Sequence, residues 1–143
     1  MIESIDLTIP PWNNQQVTWS IAFSTQWPRD VKFYEKKRKA ELVAVLANLT
    51  QRYIPMLNAA PNSKAVEAGY LHHEPMGVVA IDQKGGGGNL QETRLYTYAE
   101  DATRTLWVIT IGNKDEQSED IKTSKRFVEN LLQGPPPSTD HEH

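Results

Sequence analysis

The chain has 143 residues, a net charge of −3, 38% hydrophobic and 23% charged residues and no cysteine. These values fit one globular domain with a modest core. They exclude disulfides and thiolate metal sites, and count against a strongly salt-driven nucleic-acid binder, which needs a positive excess on its contacting face. No apolar run approaches the length of a membrane span and no signal peptide opens the chain, so the expected location is cytoplasmic.

Residues 1–16 read as an N-terminal extension, punctuated by Pro10-Pro11 and Asn13-Asn14, with Ile5, Leu7 and Ile9 alternating like a short strand. In 17–24, Val17, Trp19, Ile21 and Phe23 share one face, the pattern of a half-buried strand. Pro28 and Asp30 open a helical pattern that runs from Arg29 to about Asn58. It is one long helix or a helical hairpin broken near Thr50, and Pro55 is expected to kink or end it. Lys36–Lys39 is a basic run (Lys-Lys-Arg-Lys) with two readings: a solvated helix face, or a patch for nucleic-acid phosphates.

A loop at 59–64 leads to a second strand region around Tyr70-Leu71 and Met76–Ile81, with a turn or bulge at Pro75-Met76-Gly77. Four successive glycines, Gly85–Gly88, join this region to an antiparallel neighbour. In 93–99, Arg94, Tyr96 and Tyr98 share one face. A polar break at 100–104 precedes the apolar run Leu106–Ile111, expected to be a central strand ended by Gly112. Ser118 is the expected cap of a last helix, which Gly134 and Pro135–Pro137 stop, and residues 134–143 read as a disordered tail.

The stretch from Glu92 to Leu132 resembles the C-terminal half of the RelE/ParE-like toxin superfamily, and within it the phage-related, addiction-module-killer branch. Arg94-Leu95-Tyr96, then Val108-Ile109-Thr110-Ile111-Gly112 running into Asn113-Lys114, then Gln117 and Asp120-Ile121 carry the resemblance, in that order. It implies a compact α+β toxin fold over residues 17–133: a mainly antiparallel sheet of about four strands, two N-terminal helices and one C-terminal helix. The helices would cover one face and the other would form the working cleft. It also implies the toxin of a type II toxin–antitoxin system, a ribosome-associated mRNA endoribonuclease that inhibits translation and is neutralised by a cognate antitoxin protein.

Cleavage of RNA by its own 2′-hydroxyl needs a base, cations for the phosphorane-like transition state, and an acid for the leaving oxygen. Arg94 and Lys114 are the cationic candidates and Asp120 the third catalytic candidate, standing where ribosome-dependent members often carry Tyr or His. Lys84, Tyr96, Gln117 and Lys122 are the candidates for RNA contacts. A cross-strand ion pair for Arg94, a solvated loop for Lys114, sheet packing for Tyr96 and a helix-start acid for Asp120 are the structural alternatives. Two further functions stay open: a ParE-type poison of DNA gyrase, and a non-catalytic interaction module. No cofactor is expected. No metal site is expected either, because His72 and His73 are adjacent on an extended chain and point to opposite sides.

Overall fold

The computed structural model describes residues 18–134. The readings of an N-terminal extension and of a C-terminal tail beyond Gly134 therefore lie outside the described residues.

Strand β1, Ser20–Phe23, leads into helix α1, Trp27–Lys37. Pro28 sits in the first turn of α1, where a missing N–H costs nothing. A break at Arg38 (φ −140°, ψ 48°) separates α1 from α2, Lys39–Ala47. The expected break near Thr50 does not occur. A π-helical stretch, Asn48–Tyr53, instead carries α2 into α3, Ile54–Ala59. Pro55 falls in the first turn of α3, so it does not end the helix. The hairpin corner thus lies one third of the way along the helical region.

After a 3₁₀ turn at Ser63–Ala65 come β2, Leu71–His73, and β3, Val78–Asp82. Between them the Pro75–Gly77 turn places Met76 at φ 62° and Gly77 at φ 82°. A side chain at 77 would be strained and would press on the Tyr98 ring, which explains glycine there. The glycine loop then leads to β4, Thr93–Glu100, and β5, Thr105–Asn113. A second 3₁₀ turn, Lys114–Glu116, runs into α4, Gln117–Gln133. The turn is capped by Asn113 and Glu116 in a reciprocal capping box and Glu116 takes the N-cap position of α4, so Ser118 lies inside the helix and is not its cap. Gly134 closes it at φ 73°.

The five strands form one sheet in the order β1-β5-β4-β3-β2. All neighbours are antiparallel except β1 and β5, which run parallel. The sheet has one strand more than expected, because the single strand region at 70–81 is a tight hairpin of two, and it is mixed, because β1 runs parallel to β5.

Helix placement also differs from expectation. Val79, Ile81, Leu95, Leu106, Val108 and Ile111 join α1–α3 in the larger core. Val78, Ala80, Tyr96 and Ile109 pack instead with Val128 of α4. Alternate residues of β3 point to opposite faces, so α4 covers the face that α1–α3 leave open. A bulge lets β5 feed both layers: Tyr96 pairs with Thr110 and Thr97 with Val108, leaving Ile109 as the extra residue under α4.

The expected half-buried face of β1 is only partly buried. Trp19 is buried, with its backbone N–H donating to Asn58 Oδ1 at 3.0 Å, but Ile21 and Phe23 are exposed. An edge strand lacks a neighbour on one side to cover them.

This layering predicts the cost of truncation. Ile109→Ala should lose about 2–5 kcal/mol of stability, because the bulge holds it fully buried between sheet and α4. Phe23→Ala should stay within about 0.5 kcal/mol. Urea unfolding of the two variants checks the contrast.

Candidate functional site

On the α4 side of the sheet, beyond the first turn of α4, side chains of β2, β3 and β4 form a polar cluster. Asp82 ends the otherwise apolar β3 and is 3% exposed. A buried carboxylate has to be partnered. Its Oδ2 accepts from His72 Nε2 at 2.7 Å, and its Oδ1 accepts from the Lys84 backbone N–H at 2.8 Å. A carboxylate accepts this bond, so Nε2 is the donor, and in the neutral imidazole Nδ1 is then the acceptor. His72 is partly open to solvent. Lys84 Nζ lies 3.7 Å from Asp82 Oδ2 and donates to Gly69 O at 3.1 Å. The buried Asn48 side chain bridges from the helices, donating to the carbonyls of Asp82 and Lys84 at 2.8 and 3.0 Å. The start of the glycine loop is thereby pinned on both sides.

Arg94 is the register partner of Asp82 on the neighbouring strand, so it shares this face. Its Nη2 donates to Glu92 Oε2 at 3.1 Å, and Nη1 lies 3.8 Å from Glu74 Oε2. Gln117, at the start of α4, donates to the same Glu92 oxygen at 3.1 Å. Arg94 is thus mostly buried and held between two carboxylates.

The sequence-derived candidates separate into groups. Arg94, Gln117 and Lys84 belong to the cluster just described. Tyr96 lies beneath α4, fully buried, with no exposed ring for a base to stack on; burial, and secondarily Asp120, push its phenol above the usual range. Lys114 is exposed in the 3₁₀ turn after β5, and Lys122 lies 3.7 Å from Glu119 on the surface of α4. Asp120 packs over Gly112, where an added methyl would overlap its Oδ2. Asp120 thereby stands over the register partner of Arg94 on β5, and Lys114 follows the end of that strand.

Asp120 also lines a cleft of about 670 Å³ with Asp30, Asp115, Glu116, Glu119, Arg29, Phe33, Tyr34 and Thr110. Asp30 anchors its floor, accepting from Gln26 Nε2 and Thr110 Oγ1, each at 2.7 Å. Asp120 Oδ2 is buried without a hydrogen-bond partner in the structure. Burial, reinforced by Glu116, Asp30 and Glu119, raises its pKa to about 7. Tyr34 beside it is pushed up to about 12, mainly by burial and then by Glu116 and Asp120. An excess of carboxylates makes this cleft repellent to phosphate.

His72, Asp82 and Glu74 are functional candidates that reading for a metal passed over. The opposed orientation of the histidine pair does hold: His72 meets Asp82, while His73 pairs with Val79 and lines a different cleft. The overlooked signal was a carboxylate at the end of an apolar strand, one hairpin away from a histidine. Among the described residues, no group of three or more His, Asp or Glu is arranged to hold a metal ion, and no helix is long and apolar enough to cross a membrane. No protein-family model matches the chain, and no curated protein sequence matches it.

The raised Asp120 pKa fixes a sign for stability. Between about pH 4 and 7 the folded state holds a proton that the unfolded state has released, so stability falls as pH rises through that window. Above pH 7 the penalty is fully present. Asp120→Asn should therefore gain up to about 4 kcal/mol at pH 8 and little at pH 4. Urea unfolding at both pH values checks this; an equal effect at both would contradict it.

Proposed function

We propose that this chain is a toxin-type endoribonuclease of RelE/ParE-like fold, working in the cytoplasm on ribosome-associated mRNA and held inactive by a cognate antitoxin. The reading is supported by the order and α+β character of the elements, by the strand–strand–helix pattern of 92–132, and above all by the His72–Asp82 pair. That 2.7 Å contact places an oriented imidazole on the same sheet face as Arg94.

In this reading His72 Nδ1 takes the 2′-hydroxyl proton as the 2′-oxygen bonds to phosphorus. Asp82 holds the ring and stabilises the imidazolium that forms. Arg94, exchanging Glu92 for a phosphate oxygen, and the Lys84 ammonium offset the charge that grows on phosphorus-bound oxygens. The 5′-oxygen leaves as a hydroxyl, taking its proton from water. Gln117 keeps Glu92 in place when Arg94 moves. Asp120 has no part in the step, and the base is assigned to His72 in its stead. One observation favours a second reading, a ParE-type gyrase poison or a non-catalytic interaction protein: Arg94 already has two carboxylate partners.

The test is cleavage of mRNA on purified ribosomes by the full chain. His72→Ala should slow cutting by about 10²–10⁴-fold, the usual worth of a general base. Arg94→Ala should also cut poorly, and Lys114→Ala should cut normally. Wild-type rates in His72→Ala would refute the site, and intact mRNA with the wild-type protein would favour the second reading.

A further inference from the structure

The solvent face of α1 is cationic along its whole length. At 100° per residue, Arg29, Lys32, Phe33, Lys36 and Lys37 fall on one stripe, and all are exposed. Trp27, Val31, Tyr34 and Arg38 fall on the opposite side, where Val31 and Tyr34 are buried. Phe33 stands 53% exposed among the cations, its ring edge-on to Tyr34 at 5.4 Å. The exposed Lys39 continues the stripe past the α1–α2 corner. Two acids of α1 flank the stripe: Asp30, 3.4 Å from Arg29, on one side and Glu35 on the other.

Helix stabilisation does not account for this stripe. Lys36 and Lys37 suit the negative end of the helix dipole, but Arg29 stands in the first turn and Lys32 in the next, where the dipole disfavours cations. Among the described residues, no carboxylate lies within ion-pair reach of Lys32, Lys36 or Lys37, and Arg29 has only Asp30, 3.4 Å away. Such a concentration of positive charge on a chain of net charge −3 is segregation. A row of cations, of which Lys32, Lys36 and Lys37 have no ion-pair partner among the described residues, around an exposed aromatic ring is the surface that a single polynucleotide strand recognises: phosphates to the cations, a base face to the ring.

We propose that the outward face of α1 binds the phosphate backbone of single-stranded RNA, with Phe33 as a stacking platform. The choice of RNA as the strand rests on the reading above. Asp115 and Glu119, in the acidic cleft that Arg29 and Phe33 border, repel phosphate. The strand therefore leaves the stripe at the Lys36–Lys39 end.

The test uses the full chain carrying His72→Ala, which keeps the strand intact, and a fluorescently labelled single-stranded RNA of mixed sequence. Fluorescence anisotropy is followed across a salt series. With four phosphates neutralised, log K should fall against log salt with a slope of about −3. Lys32→Ala with Lys36→Ala should reduce that slope by about 1.4. Phe33→Ala should weaken binding about fivefold or more without changing the slope. A single-stranded DNA of the same sequence should bind similarly, because the stripe reads phosphate and base face, not the 2′-hydroxyl. Binding that is absent at low salt, or unchanged in the double variant, would overturn the proposal. Stripe-dependent binding without any cleavage by the wild-type chain would uphold the stripe and remove the catalytic reading instead.

Discussion

The carboxylate of Asp82 ties together three parts of the molecule. It terminates a strand buried on both faces, orients His72 from the edge strand, and fixes the first residue of the glycine loop. A carboxylate this deeply placed is stable only when fully partnered, so each neighbour is constrained in turn. Asn48 holds the main-chain carbonyl of the same residue from the helical layer, and the register partner Arg94 is committed to the same sheet face. The polar surface at this end of the sheet is a consequence of that one buried charge.

The central strands are plain in the sequence, one by its alternation over 93–99 and the other by its continuous apolar run. Arg94, Tyr96 and Tyr98 do share a face, and the 106–111 run is buried as a central strand should be. The fold departs from expectation where local pattern is silent. An amphipathic helix carries the same apolar stripe whichever side of a sheet it covers, so nothing within 117–133 says that α4 packs opposite α1–α3. The corner at Arg38 sits in a run of residues that all favour helix, and it lets both Val31 and Tyr34 of α1 and Leu42 and Val45 of α2 join one core. Pro55 looked like a helix breaker, yet it falls at the start of α3 after the π-helical stretch.

The site was legible in part for the same reason. Strand alternation placed Arg94 correctly, but its neutralisation by Glu74 and Glu92 depends on side chains converging from outside β4. Asp120, read by position along the last helix as a catalytic candidate, turns toward Gly112 and the acid-lined cleft. Its raised pKa comes from burial and crowding, which spacing alone does not reveal. Charge is likewise unevenly spread: carboxylates fill the cleft between α1 and α4, cations cover the outer face of α1, and the dyad lies on the sheet at a different position from both. A modest net charge therefore conceals one surface suited to phosphate and one that excludes it.

The chemistry assigned to His72 makes one demand on the substrate, that a free 2′-hydroxyl adjoin the broken bond. The most direct measurement is the cleavage of a short RNA on ribosomes beside the same RNA carrying a single 2′-deoxy nucleotide at the cut. The account predicts a 2′,3′-cyclic phosphate and a 5′-hydroxyl from the first and no cut at that bond in the second. Equal cleavage of both, or a 5′-phosphate product, would contradict it.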